Sequence, residues 1–271
     1  MNHLQRLAER YGIREGRAIY MLVMEQRFGL TPTQVLLGKD RELSSDKLHE
    51  LDIITKHLLA GEPVQYVLGE CLFHGHSFHV KPGVLIPRPE TAELVDIILR
   101  ESAPGQRALD IGTGSGCIAV SLVLGGLEVS AMDISEDALH IAKGNAQRLK
   151  AIVRFIREDI LHPVRRDESW DIIVSNPPYI RQSEASAMED TVLNHEPHTA
   201  LFVPNDNPLL FYRAIGQYAR EHLRHRGTLW FEINREFPQQ TCTLLEGMGF
   251  AGVQAMKDSF DNYRFVKATL P

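Results

Sequence analysis

Two short runs hold the residue types that could do chemistry. The first, Leu109-Asp110-Ile111-Gly112-Thr113-Gly114-Ser115-Gly116, falls where a hydrophobic stretch gives way to a helix pattern. Glycines there let the backbone approach a ligand closely, and a helix N-terminus presents unpaired N–H groups. Such a turn alone is weak, since a tight strand-to-helix turn explains it equally. Asp133 strengthens it: it ends the next strand about 20 residues on, where a carboxylate can accept the hydroxyls of a ribose. The second run, Val174-Ser175-Asn176-Pro177-Pro178-Tyr179, follows the fourth strand. It suits a planar nitrogen. An amide nitrogen is a poor nucleophile because its lone pair is delocalised. Asn176 can accept one of its N–H groups through the side-chain oxygen, and a prolyl carbonyl of Pro177 or Pro178 the other. Prolines fix the backbone that aims this carbonyl. Two acceptors on one nitrogen orient the lone pair and stabilise the charge that develops, and Tyr179 packs on the planar group.

The glycine spacing separates two cofactor classes. A dinucleotide fold calls for Gly-x-Gly-x-x-Gly; here the third glycine comes one residue early, and Asp110 ahead of the loop would repel a pyrophosphate while suiting a cationic amino acid end. S-adenosylmethionine (SAM) is the cofactor expected, with Asp110, Gly112, Thr113, Gly114, Ser115, Gly116 and Asp133 lining it. Asp159, after the third strand, is placed to reach the adenine amine, although a turn or cap acid would look the same.

The elements that must position these runs have two textures. Residues 1–70 read as short helices. Leu4, Leu7, Ala8 and Tyr11 share one face, and Ala18, Met21, Leu22 and Glu25 another. Thr31-Pro32 starts a helix, and Ser45 caps one carrying Leu48, Leu51, Ile54, Thr55 and Leu58, which Gly61 stops. Residues 71–88 form a β-hairpin linker. Residues 89–271 alternate: strands at 107–111, 128–133, 153–158, 170–175 and 228–233, helices at 116–124, 136–149 and 209–223. The class expected is α/β, a Rossmann-like SAM-dependent methyltransferase domain behind a small N-terminal helical domain.

Composition narrows the partners. A net charge of −6 leans away from a nucleic-acid surface, and the cluster Arg220, His222, Arg224, His225 and Arg226 ends a helix, where cations complement the dipole. Cys71, Cys117 and Cys242 are widely spaced, which fits buried thiols in a reducing cytoplasm rather than disulfides or a zinc site. No metal is expected. No apolar run has the length of a membrane span, and the first residues lack a signal-peptide core.

Beyond these local readings, the chain resembles the protein-(glutamine) methyltransferases of peptide chain release factors, the PrmC/HemK family. Its marks are Pro63-Val64-Gln65-Tyr66, Leu85-Ile86-Pro87-Arg88-Pro89-Glu90-Thr91, the run Asp110–Cys117, Ser175-Asn176-Pro177-Pro178-Tyr179-Ile180, and Glu196-Pro197 with Ala200-Leu201. Asn-Pro-Pro-Tyr is shared with methyltransferases of base amines; the Ile-Pro-Arg-Pro-Glu-Thr segment is far more specific. The resemblance implies an N-terminal domain that meets the release factor, a SAM domain that binds the glutamine of its Gly-Gly-Gln motif, and SAM contacts from Gly112 to Gly116, Asp133, Ile160 and Asn176. A cytoplasmic monomer that touches neither nucleic acid nor membrane is the expectation. Three positions depart from the family pattern: Ala92 stands where an acid is expected, Ile160 where an aromatic is common, and Asn234 where a glycine is expected, a change the turn can survive because asparagine tolerates left-handed backbone better than most residues. Methylation of an exocyclic base amine and a non-catalytic SAM-binding scaffold are the competing readings.

Overall fold

A computed structural model describes residues 2–165 and 167–271. The chain forms two compact units, the first running to Glu70 and including Glu189–His195, the second holding Cys71–Met188 and Glu196–Pro271. In the first unit, α1 (His3–Tyr11), α2 (Ile13–Phe28), α3 (Pro32–Leu36), α4 (Ser45–Leu59) and α5 (Val64–Leu68) pack around Leu7, Tyr20, Val23, Met24, Leu51, Ile54 and Leu58. Thr31 caps α3 through a capping box with Gln34. Two local expectations shift. Ser44, not Ser45, is the N-cap of α4. The buried stripe of α2 is Gly16, Tyr20, Val23, Met24 and Phe28, whereas Ala18 and Glu25 are exposed. Apolar residues surround α2 on several sides, so spacing alone did not choose the face. Gly16 chooses it: a Cβ there would lie 2.6 Å from the backbone of Leu7 and Ala8.

The second unit opens with a hairpin, β1 (Glu70–Phe73) and β2 (His76–His79). Its turn residues, His74 and Gly75, both have positive φ, as a two-residue hairpin turn requires. Phe73 and Phe78 meet edge-to-face at 5.8 Å and join the core. Then follow α6 (Pro89–Glu101), β3 (Arg107–Ile111), α7 (Cys117–Leu124), β4 (Glu128–Asp133), α8 (Glu136–Arg148), β5 (Val153–Arg157), β6 (Trp170–Ser175), β7 (Ile180–Arg181), α9 (Asp190–His195, which belongs to the first unit), α10 (His198–Leu201), β8 (Phe202–Val203), α11 (Leu210–His222), β9 (Leu223–Glu232), α12 (Pro238–Gly247), β10 (Ala251–Lys257) and β11 (Tyr263–Thr269). The predicted strands at 107–111, 128–133 and 170–175 match β3, β4 and β6; β9 begins earlier than expected, at Leu223, and pairs with β6 across a register shift.

Seven strands form one sheet in the order β10-β11-β9-β6-β3-β4-β5, parallel except for the pairings of β11. Alternate strand residues serve opposite faces. Ala108, Ile172, Val174 and Trp230 pack under α6 and α7, while Leu109, Ile173, Leu229 and Phe231 pack under α11 and α12. Both faces are covered, which is why these strands read as nearly continuous apolar runs. The chain leaves β3 toward β4 and β5 on one side and returns to β6 on the other. At such a switch point the strand carboxyl ends open a crevice where ligands bind.

Candidate active site

The glycine run leaves the end of β3 and winds into α7. Gly112, Gly114 and Gly116 have φ of +74°, +54° and +80°, a region that side chains rarely adopt. The N–H groups of Gly112 and Thr113 both donate to the Met132 carbonyl, at 2.8 and 3.0 Å, which ties the loop to β4. A Cβ at Gly112 or Gly114 would meet nothing within 4 Å, so backbone borders open space there; at Gly116 it would lie 2.9 Å from the Cβ of Ala142, so that glycine serves helix packing.

Asp110 is 0% exposed. Its Oδ2 accepts from Thr113 Oγ1 at 2.6 Å and from the Ala119 N–H at 3.2 Å. Asp110 therefore braces the loop from inside through Oδ2. Burial pushes its carboxyl up to about 7, against the pull of those two hydrogen bonds. Among the described residues its Oδ1 is buried without a hydrogen-bond partner, and a positive charge beside it would favour the ionised form. Asp133 lies half-buried at the end of β4. Its Oδ2 accepts from the Gly114 N–H and its Oδ1 from the Ser135 N–H, each at 2.9 Å. Each oxygen keeps a second lone pair for a ligand hydroxyl. Burial raises this carboxyl too, while those backbone N–H groups oppose the rise.

Asp159 spends its oxygens on its own turn, accepting from the Leu161 N–H at 2.9 Å and meeting His162 Nδ1 at 2.9 Å. That hydrogen bond to His162 holds its carboxyl below the usual range. Ile160 packs in the core with Leu109, Ile111, Met132 and Ile156.

The second run starts at the end of β6. Ser175 Oγ donates to the Ile111 carbonyl at 2.7 Å, so the chain entering Asn176 is fixed to the chain entering Gly112. Asn176 Nδ2 donates to Thr91 Oγ1 at 3.3 Å, and Thr91 donates onward to Glu232 Oε2 at 2.7 Å. Tyr179 donates its hydroxyl to Glu232 Oε1 at 3.3 Å, and the Tyr179 carbonyl accepts from Asn234 Nδ2 at 3.1 Å. Burial, then the Glu232 charge, raises the Tyr179 hydroxyl above its ordinary value, so it stays protonated. Burial raises the Glu232 carboxyl as well, opposed by Thr91, Arg264 and Tyr179.

Local sequence reasoning missed Thr91, Glu232 and Asn145. Thr91 lies inside the Ile-Pro-Arg-Pro-Glu-Thr segment, which was a signal of family but not of contact. Asn145, buried on α8, exchanges hydrogen bonds with the His79 backbone and donates to the Ser115 carbonyl at 2.9 Å, joining the hairpin to the glycine loop. Asn234 has no positive φ, and its side chain braces the turn, donating to the Tyr179 carbonyl and accepting from the Glu236 N–H. The same segment has a further anchor, since Arg88 donates to Glu196, whose other oxygen accepts from the Ile86 N–H at 3.0 Å. All three cysteines are free and buried, and burial pushes the Cys117 thiol up to about 12, which leaves no reactive thiolate among them. No group of three or more His, Cys, Asp or Glu among the described residues could hold a metal ion.

Residues 90–198 match the methyltransferase small domain family and residues 3–69 the PrmC N-terminal domain family. In fold, the chain is similar to a methyltransferase from Pyrococcus furiosus (TM-score 0.55, 17% identity, 83% of this chain and 98% of that one). It is equally similar to the 16S rRNA N2 G1207 methyltransferase of Thermus thermophilus (TM-score 0.55, 19% identity, 74% and 50%). In sequence it is 46% identical to the release factor glutamine methyltransferase of Bacteroides thetaiotaomicron, over 97% of this chain and 96% of that protein. It is 39% identical to that of Flavobacterium psychrophilum, over 97% and 95%. With both site runs in place at the sheet's switch point and likeness extending over nearly the whole of each relative, the chain belongs to the release factor glutamine methyltransferase family.

Proposed function

We propose that this chain transfers a methyl group from S-adenosylmethionine to the side-chain amide nitrogen of the glutamine in the Gly-Gly-Gln motif of peptide chain release factors. The observation that carries the reading is the Ser175–Ile111 hydrogen bond, which sets the Asn176–Tyr179 turn beside the glycine loop. The loop suits the cofactor: backbone borders open space at Gly112 and Gly114, and the unpartnered Asp110 Oδ1 favours a positive charge nearby. Gly112 to Gly116 would hold the amino acid end, Asp133 the ribose, and Asp159 and Ile160 the adenine side. When bound, S-adenosylmethionine supplies an electrophilic methyl group on a sulfonium.

The chain's own part is to orient the glutamine amide. Asn176 Oδ1 accepts one N–H of the substrate amide and a carbonyl from Pro177 or Pro178 accepts the other. Holding both N–H groups points the nitrogen lone pair at the methyl carbon and stabilises positive charge as the N–C bond forms. The Tyr179 ring, fixed at its hydroxyl by Glu232 and at its carbonyl by Asn234, offers a flat surface for the planar group. An N-alkylated amide that still carries both protons is strongly acidic, so one leaves to water without a dedicated base. Residues 1–70 recognise the release factor outside its glutamine loop, adding affinity that a short peptide lacks, and the chain acts as a cytoplasmic monomer. The test is incubation with methyl-labelled S-adenosylmethionine and either release factor or duplex DNA. Label is expected in the release factor only and is lost when its motif glutamine is replaced by alanine. Labelled DNA with unlabelled release factor would overturn the reading in favour of a base amine.

A further inference from the structure

We infer that Thr91 and Glu232 are positioning residues that set which way the Asn176 amide faces. The inference rests on the amide-methylation reading above and adds what makes Asn176 an acceptor rather than a donor toward the substrate. The two ends of an asparagine amide are nearly equal in size but opposite in polarity: the oxygen only accepts, and the nitrogen only donates. Facing the substrate with its NH2 would set donor against donor, and the nitrogen to be methylated would have no partner there. Shape cannot prevent that flip. Hydrogen bonding can.

The polarity is set from the far end of the chain of contacts. Glu232 is 2% exposed at the end of β9, and as a carboxylate it can only accept. It receives Tyr179 on one oxygen and Thr91 on the other, the latter at 2.7 Å. Burial raises its carboxyl, and the Thr91 and Tyr179 hydrogen bonds and the Arg264 charge oppose that rise. The single proton of the Thr91 hydroxyl is thereby committed to Glu232, so toward Asn176 its oxygen can only accept. Asn176 Nδ2 supplies that donor at 3.3 Å. One end of the Asn176 amide is used up against Thr91, and Oδ1 is left for the substrate. Thr91 is 3% exposed, so water cannot easily take its place. Pro89 sets the start of α6 and brings Thr91 into its first turn, under the ends of β6 and β9.

The test measures single-turnover methyl transfer to intact release factor, beside calorimetric SAM affinity and thermal melting. Thr91→Val keeps the shape and removes the hydroxyl. An unpartnered NH2 then disfavours the productive orientation, and the transfer rate is expected to fall about ten- to hundredfold. The KM for release factor and the SAM affinity should stay within about twofold, because neither depends on the Asn176 flip. Thr91→Ser should restore the rate to within about threefold, since the relay needs only the hydroxyl. Glu232→Gln, whose amide can donate or accept, should also slow transfer, as the direction of the relay is no longer enforced. A purely structural role would instead lower melting temperature and SAM affinity together and would not be rescued by serine. An active wild type with an equally fast Thr91→Val refutes the positioning role. A wild type that labels no release factor refutes the functional reading itself. Wild-type protein labelled with 15N-asparagine gives a measurement independent of any variant's folding. The Asn176 Nδ2 proton held by Thr91 Oγ1 should be slow to exchange with solvent; exchange as fast as that of an exposed asparagine side chain would overturn the inference.

Discussion

Asp133→Ala gives the sharpest test of the cofactor site. Each Asp133 oxygen already holds one backbone N–H, from Gly114 and Ser135, at 2.9 Å. One lone pair per oxygen is left over, which allows one bond to each ribose hydroxyl. The carboxyl has also been raised by burial, so most of its desolvation cost is met before the ligand arrives. A hydrogen bond to a charged group contributes about 1.5–3 kcal/mol. Two such bonds, partly replaced by water in the vacated space, give an expected loss of about 3 kcal/mol, or about 150-fold in the SAM Kd. Asp133→Asn keeps one acceptor and should cost about half as much. Calorimetric titration with S-adenosylmethionine, and with a 2′-deoxy analogue of S-adenosylhomocysteine, separates the ribose contact from loosening of the loop. The wild type should lose affinity when the 2′-hydroxyl is removed, and the alanine variant should not lose it a second time. An Asp133→Ala protein that melts normally and binds SAM within twofold of wild type refutes the assignment.

Three further expectations follow from the same geometry. Asn176→Ala should lower turnover about 10²–10³-fold with SAM affinity little changed, the usual cost of removing one acceptor or donor aimed at developing charge; near-normal turnover would sink the amide clamp. Because the folded Asp110 carboxyl is raised to about 7, native protein binds its proton more tightly than unfolded chain, so this group's stabilisation is complete below about pH 4 and is lost as pH rises through about 7. Melting curves of the ligand-free protein should show the wild type losing ground to Asp110→Asn across that window, by at most about 1.4 kcal/mol per pH unit, and a flat difference would contradict the shift. Ile13 and Leu37 are 83% and 76% exposed on the first unit. Ile13→Ser with Leu37→Ser should raise the KM for intact release factor while sparing a short Gly-Gly-Gln peptide; equal effects on both would remove the recognition role from that surface.

The sequence alone determined the elements and the chemistry at their ends. Strands 107–111, 128–133 and 170–175 were legible because a strand buried on both faces must be apolar throughout, and the glycine and Asn-Pro-Pro-Tyr runs because each residue type there answers a local demand. The sequence did not show the antiparallel β10 and β11, or which side of α2 is buried, or that Asp110 also braces the loop from inside. Periodicity reports that a helix has an apolar face only when one side stands out, and α2 is apolar on several. A cofactor acid and a loop brace look identical in one dimension, because burial is a property of what packs on top. The contacts that orient Asn176 lie furthest from local reading: Thr91 is 85 residues from Asn176 and 141 from Glu232. No propensity or spacing links residues so distant. They meet because α6 starts beneath the ends of β6 and β9, and only the assembled sheet brings those three chain segments within hydrogen-bonding distance.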